Sequence, residues 1–151
     1  MLADAFDRYS YMIDNVILFI QGKLHGRDLT EIESKCHPLG KFPEMGGDAP
    51  GLKSLAACDS IHEVHDLVLA DTPLAPYFSV SLKREDLDEL NIEIIRNILY
   101  KAYLEDFNEF CQALGGETAE VMGEILAVRT VVLISVSHPQ RPRVIDPERT
   151  A

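Results

Sequence analysis

The stretch Asn91–Leu114, NIEIIRNILYKAYLEDFNEFCQAL, decides the fold. It contains neither Pro nor Gly, and apolar residues recur at Ile92, Ile95, Leu99, Ala102/Tyr103, Phe107, Phe110 and Leu114. Steps of three and four keep one face of an α-helix apolar. Ile94 and Ile98 add a second strip beside the first, which predicts a wide buried arc. Asn91 suits the N-cap, and Glu93 sits in the first turn against the positive end of the helix dipole. Gly115-Gly116 ends the helix, because glycine reaches the left-handed C′ conformation without a Cβ clash. At about 1.5 Å per residue the helix spans about 36 Å, the width of a small domain. A helix of that length needs partners on more than one side.

Working outward, 151 residues make one domain at most, long enough to bury a core. A hydrophobic content of 46% with 26% charged residues is that of a globular chain. The net charge of −11 argues against nucleic acid and against docking to anionic lipid through a basic patch. The longest apolar runs, Val16–Ile20 and Val131–Ile134, fall far short of the ~18–20 residues that cross a bilayer. The start, MLADAFDRY, lacks the basic and apolar regions of a signal peptide. Cys36, Cys58 and Cys111 are widely spaced with no CxxC, as reduced cytosolic thiols are.

Residues 3–24 read as the first helix, with Phe6, Tyr9, Met12/Ile13, Val16, Phe19/Ile20 and Leu24 inward. Asp14 and Asn15 fall on the opposite side and need not be buried; a polar stripe or an interhelical hydrogen bond accounts for them. Gly22 and Gly26 loosen the helix end, and Asp28 or Thr30 caps a short helix through Cys36. The loop His37–Gly51 holds three Pro and four Gly and sustains neither helix nor central strand. Gly51–Cys58 reads as a helical turn. Ser60–Ala70 reads as a helix with Ser60 as N-cap and Glu63 completing a capping box. Pro73 fixes its own φ and pushes Thr72 extended. Leu74, Ala75, Tyr77 and Phe78 form an apolar knot, and a short acidic helix, Lys83–Glu89, feeds the long one. Beyond Gly115-Gly116, Thr118–Ala127 reads as helix with Val121, Met122, Ile125 and Leu126 inward.

Candidate chemistry is sparse. His62 and His65 in HEVH invite a metal reading, but the zincin pattern H-E-x-x-H spaces its histidines by four rather than three. No third ligand is near, so surface helix histidines are the plainer reading. Lys35-Cys36-His37 sets a thiol beside an imidazole, yet sequence neighbours rarely face each other as a catalytic pair must. A core thiol and a turn histidine before Pro38 explain them better. The glycine pair at 115 and 116 precedes a helix but follows no strand, so a phosphate cradle is weakly indicated. The acidic residues Glu85, Asp86, Asp88, Glu89, Glu105, Asp106 and Glu109 read as a solvated face, with Lys101–Glu105 as one i,i+4 pair. Tyr100, Tyr103, Phe107 and Phe110 read as core. No residue is assigned a catalytic, cofactor-binding or metal-ligating role, and no cofactor is expected.

The segment DLDELNIEIIRNILYKAYLEDF (Asp86 to Phe107) resembles the subunit d family of the eukaryotic V-type proton ATPase, the stalk subunit of its membrane (Vo) sector. YSYMIDNVI (Tyr9 to Ile17), KCHPLG (Lys35 to Gly40), DTPLAPYF (Asp71 to Phe78) and LGGETAEVM (Leu114 to Met122) follow the same family in the same order. The likeness runs from about Tyr9 to about Ala127. Past that point AVRTVVLISVS (Ala127 to Ser137) departs from the family, and VVLISV leans to strand by propensity. The resemblance keeps it helical. The tail HPQRPRVIDPERTA, residues 138–151, has three Pro and three Arg and is expected to be disordered.

The resulting expectation is an all-α helical bundle over residues 1–137, part of the funnel-shaped subunit d fold. The resemblance implies a non-catalytic subunit that links the central stalk to the c-ring and couples ATP hydrolysis to proton transport. Its partners would be the c-ring and central stalk subunits, with no nucleic acid, small-molecule substrate or membrane span. Its place would be the cytoplasmic face of vacuolar and endosomal membranes. Because the family's funnel needs several such helical units, the chain is expected to be a partial form that exposes apolar helix faces. Two alternatives remain: a stand-alone helical adaptor that binds stalk or c-ring without coupling, and a small metallohydrolase using His62 and His65.

Overall fold

The computed structural model describes residues 2–41, 51–89 and 91–137. Eight α-helices follow one another among these residues: α1 (Leu2–Leu24), α2 (Leu29–Lys35), α3 (Leu52–Ala57), α4 (Ile61–Asp71), α5 (Ala75–Ser81), α6 (Asp86–Glu89), α7 (Ile92–Leu114) and α8 (Gly116–Ser137). A 3₁₀ turn, Pro38–Gly40, follows α2. No strand occurs among the described residues, so the all-α expectation holds. Most of the loop expected at residues 37–51, and the tail at 138–151, lie outside the described residues.

Local chemistry sets the helix ends. Asn91 Oδ1 accepts from Glu93 N at 2.9 Å and opens α7. Gly115, at φ 70°, closes it and donates back to the Cys111 and Gln112 carbonyls. Gly116, at φ 63°, starts α8 at once, so α7 and α8 form a hairpin whose turn only glycine tolerates well. Ser60 Oγ accepts from Glu63 N at 3.2 Å, while the Glu63 carboxylate accepts from Asp59 N, one residue further back than in the usual capping box. Asp28, not Thr30, caps α2. Thr72 is extended, as a residue before proline should be, and its hydroxyl accepts from Leu74 N.

The core lies where α7 crosses α1, closed by α4 and α5. Ile13, Val16, Phe19 and Ile20 of α1 meet Ile95, Leu99 and Tyr103 of α7, with Val64, Val68, Leu74 and Phe78 at the flank; all are buried. Each such side chain contributes about 1.5–3 kcal/mol by leaving water. Three tyrosines are arranged edge-on: Tyr77 meets Tyr9 at 6.1 Å and Tyr103 at 6.4 Å between ring centroids.

Several expectations are corrected. Gly22 does not loosen α1. It is buried within it, and a Cβ there would lie 2.0 Å from Ile32 Cδ1, so its bareness admits α2. The apolar knot at Leu74–Phe78 is largely a helix, α5, which buries Tyr77 and Phe78 and leaves Val80 in solvent. The acidic helix is a single turn, Asp86–Glu89, and Lys83–Asp86 is a turn in which the Asp86 carboxylate accepts from Lys83 N. Ile94 is exposed, so the buried arc of α7 is narrower there than its two apolar strips suggest. One expectation in this region holds: the VVLISV run, strand-leaning by propensity but kept helical by the resemblance, is helical, and α8 continues through Ser137. Sequential α-hydrogen bonds propagated from a hairpin already packed on α7 outweigh the modest β-propensity of its valines.

Candidate interaction surface

The candidate site is a surface. Within the hairpin, α8 packs on α7 through buried Ala119 and Leu126, with Met122 and Thr130 half-buried beside them. Val121, Ile125, Val128 and Val132 point the other way and are 48%, 51%, 64% and 54% exposed. Val121 and Ile125 were expected inward. They face out because α7 is the main packing partner of α8 among the described residues and covers one side only. Leu114 and Ile94 extend the exposed apolar surface toward the two ends of α7. An uncovered apolar helix face of this kind marks an interaction site.

A second construction holds the KCHPLG segment on α1. Asn15 is almost fully buried, against expectation: its Oδ1 accepts from His37 N at 2.8 Å and its Nδ2 donates to the His37 carbonyl at 3.0 Å. One side-chain amide thus satisfies both polar groups of a backbone unit that has left the helix. The His37 ring stacks on Tyr11 at 3.9 Å, and its Nδ1 accepts from Leu39 N at 3.2 Å. Gly40 sits so close to α1 that a Cβ would come 2.3 Å from the Tyr11 carbonyl oxygen. Sequence reasoning missed this clamp. The signals were a proline turn with a glycine two residues on, and an amide at the margin of the apolar stripe of α1.

The residues weighed for chemistry are not brought together. His62 Nε2 meets Asp88 Oδ1 at 3.1 Å. His65 is buried rather than on the surface, and its Nε2–H donates to the Leu82 carbonyl at 3.2 Å, which ties α4 to the end of α5. Asp66, beside it, is held by Arg84 at 2.9 Å. The two histidines therefore serve separate partners, and no group of three potential metal ligands gathers among the described residues. Cys36 donates to the Ile32 carbonyl, while His37 faces Tyr11. Burial pushes the Cys36 thiol up to about 11, the wrong direction for a nucleophile. Burial likewise raises Cys58, whose Sγ donates to the Ser54 carbonyl. The acidic face is partly structural: Asp106 accepts from the Tyr77 hydroxyl at 2.6 Å, and Asp14 on α1 pairs with Arg96 on α7 at 3.0 Å. Tyr100 donates to the Ser10 carbonyl at 3.3 Å. Burial first, and then the facing carboxylate, raises both phenols well above the usual tyrosine range.

Titratable groups spent on ties between helices, together with an open apolar flank, characterise an all-α helical module among the described residues. The chain belongs to the ATP synthase (C/AC39) subunit family, whose model matches residues 5–130. Among curated relatives, it is 57% identical over 120 residues to V-type proton ATPase subunit d1 of Arabidopsis thaliana, covering 80% of this chain and 32% of that protein. It is 56% identical over 124 residues to V-type proton ATPase subunit d of Dictyostelium discoideum, covering 80% and 32%. With subunit d of Saccharomyces cerevisiae it shares 52% over 103 residues, covering 68% and 28%. The resemblance carried by the five sequence blocks is therefore borne out. The chain spans about a third of the length of the curated relatives it matches. Among the described residues no helix is long and apolar enough to cross a membrane.

Proposed function

We propose that this chain acts as part of a V-type proton ATPase, as a non-catalytic helical unit between the central stalk and the c-ring, on the cytoplasmic face of vacuolar or endosomal membranes. In that place it would pass rotation from ATP hydrolysis to proton movement. The observation that carries the reading is 57% identity, over four-fifths of the chain, to a protein named as subunit d of that pump. Physical chemistry supports it. Transmitting torque needs helices locked against one another and broad contact faces. The packing of α1 and α5 on α7 supplies the first, through buried side chains, the Asp14–Arg96 tie from α1 and the Tyr77–Asp106 tie from α5. The open side of α8 supplies a contact face.

The test is to solubilise organelle membranes in mild detergent and recover the protein with an antibody against the Asn91–Leu114 segment. Stalk and c-ring subunits are expected in the recovered material, and depletion of the protein is expected to abolish ATP-driven proton uptake in vesicles. Recovery with stalk or ring but without any effect on proton uptake would favour the adaptor reading. Absence from every fraction that holds the pump would sink both.

A further inference from the structure

α8 is joined to the rest of the chain by a turn that nothing crowds. Gly115 and Gly116 stand at φ 70° and 63°, and a Cβ built at either would meet nothing within 4 Å. Glycine is there for its backbone freedom alone, with no neighbour packed against it to lock the turn. The seam beyond the turn is thin. Of residues 116–132, whose side chains are described, Ala119 and Leu126 are buried, and Met122, Gly123 and Thr130 are half-buried. α1, by contrast, meets α7 through Ile13, Val16, Phe19 and Ile20 and through the Asp14–Arg96 pair. Leu104, Cys111 and Gly115 follow one another by seven and four residues, so they share one side of α7, and the chain turns into α8 from that side. Gly123 runs beside the same end of α7, where its Cβ would stand 3.6 Å from Gln112 Nε2. Cys111 is buried yet stands outside the core cluster that joins α1, α4 and α5 to α7, which leaves α8 as its cover.

We propose that α8 is a hinged arm: it opens from α7 as a unit, about Gly115 and Gly116, while α1 to α7 stay folded. A few residues at the boundary of two elements suffice for such a hinge. Opening uncovers one large buried side chain of α8, Leu126, and the Cys111 side of α7. Losing the core uncovers many more, so the arm opens far more often than the fold is lost. The open form bares the inner side of α8 and the facing flank of α7 together, and these surfaces become available without unfolding of the chain. The motion is a property of this chain alone, and it stands or falls separately from the membrane recovery described above.

Thiol labelling of the full chain, resolved cysteine by cysteine through peptide mass spectrometry, tests this. Static exposure ranks Cys111, at 2%, below Cys36 and Cys58, at 8% each. With a hinged arm, Cys111 instead labels through a partial opening. Its rate is expected to rise with urea less than about half as steeply as global unfolding followed by circular dichroism. Leu126→Ala is expected to speed Cys111 labelling about thirtyfold or more, because it removes the main apolar grip of α8. Gly116→Ala is expected to speed it about fivefold, because the closed turn holds this residue at positive φ and the open arm releases it. Phe19→Ala, which weakens the packing of α1 on α7, is expected to leave the Cys111 rate within about twofold. The urea slope of the parent chain decides even where a variant fails to fold. Cys111 labelling with the full urea dependence of global unfolding overturns the proposal. So does a Cys111 rate that Phe19→Ala raises in step with the unfolded population, or one that neither Leu126→Ala nor Gly116→Ala speeds.

Discussion

α1 and α8 flank the same helix, α7, and meet opposite fates. α1 separates its apolar and polar residues: Ile13, Val16, Phe19 and Ile20 vanish into the core, while Asp14 keeps to the margin and pairs with Arg96. α8 does not separate them. Val121, Ile125, Val128 and Val132 line its outer side while Ala119 and Leu126 line its inner one, and α7 covers only the inner. Both helices are of similar length and both start from a helix-compatible pattern. The difference lies in what is laid over them: α1 has its apolar side covered, while α8 has apolar strips on two opposite sides and a cover on one.

The contrast is sharpest for a pair of truncations. Phe19→Ala empties a fully buried site on α1 and is expected to destabilise the fold by about 3–5 kcal/mol. Val128→Ala, on the outer side of α8, is expected to stay within about 0.5 kcal/mol of the parent. Urea unfolding, followed by circular dichroism at a concentration too low for self-association, measures both. A large loss at Val128 would mean that the outer side of α8 is buried in solution, and the comparison would fail.

Next in size is the clamp on α1. Gly40→Ala forces a methyl into the Tyr11 carbonyl, and backbone has little room to yield; a loss of about 1–3 kcal/mol is expected. Asn15→Ala leaves the part-buried His37 N–H and carbonyl without their partner, with a loss of similar size. If the two act on one contact, the double variant should lose clearly less than the sum of the single losses. Full additivity in urea melts would show that Asn15 and Gly40 hold different things.

Much of this was legible in the chain. α7 was bounded to the residue because Asn91 and Gly115 are strong end signals around an uninterrupted apolar period. Ser60 and Glu63 announced α4 in the same way. The family blocks also pointed to the family before any contact was known. What escaped depended on contacts distant in sequence. Asn15 is buried only because His37, twenty-two residues away, folds back over it. Val121 and Ile125 fit an inward face as well as an outward one, and periodicity cannot say which of two apolar sides a single partner will take. His65 resembled a surface histidine until the Leu82 carbonyl reached it across the turn between α5 and α6.

A smaller effect probes the charged ties that α1 and α5 make with α7 and that the outer side of α8 lacks. The Tyr77 and Tyr100 phenols are raised in the folded protein, chiefly by burial. Their contribution is therefore fully present below the unfolded tyrosine range, near 10, and is lost as pH climbs above it, because the unfolded chain ionises first. Stability should be flat in this respect from pH 7 to about 9.5 and fall beyond. Tyr77→Phe should flatten part of that alkaline fall. It should also lose about 1 kcal/mol at neutral pH with the hydrogen bond to Asp106. An alkaline slope unchanged in both Tyr77→Phe and Tyr100→Phe would place its origin elsewhere.

The smallest effect belongs to the solvent side of α7. Lys101 and Glu105 are paired at 3.7 Å with both side chains well exposed. Water and salt screen such a pair, and ordering two long side chains offsets most of the attraction. Lys101→Ala should therefore change stability by about 0.5 kcal/mol or less, and the difference should vanish in about 1 M salt, where the screening length is about 3 Å. The same salt should leave the loss from Phe19→Ala essentially unchanged, since that loss comes from an emptied apolar site rather than from charge. If salt scaled both losses alike, α7 would be held by charge along its whole circumference, and the contrast between its covered and open flanks would have no basis in burial.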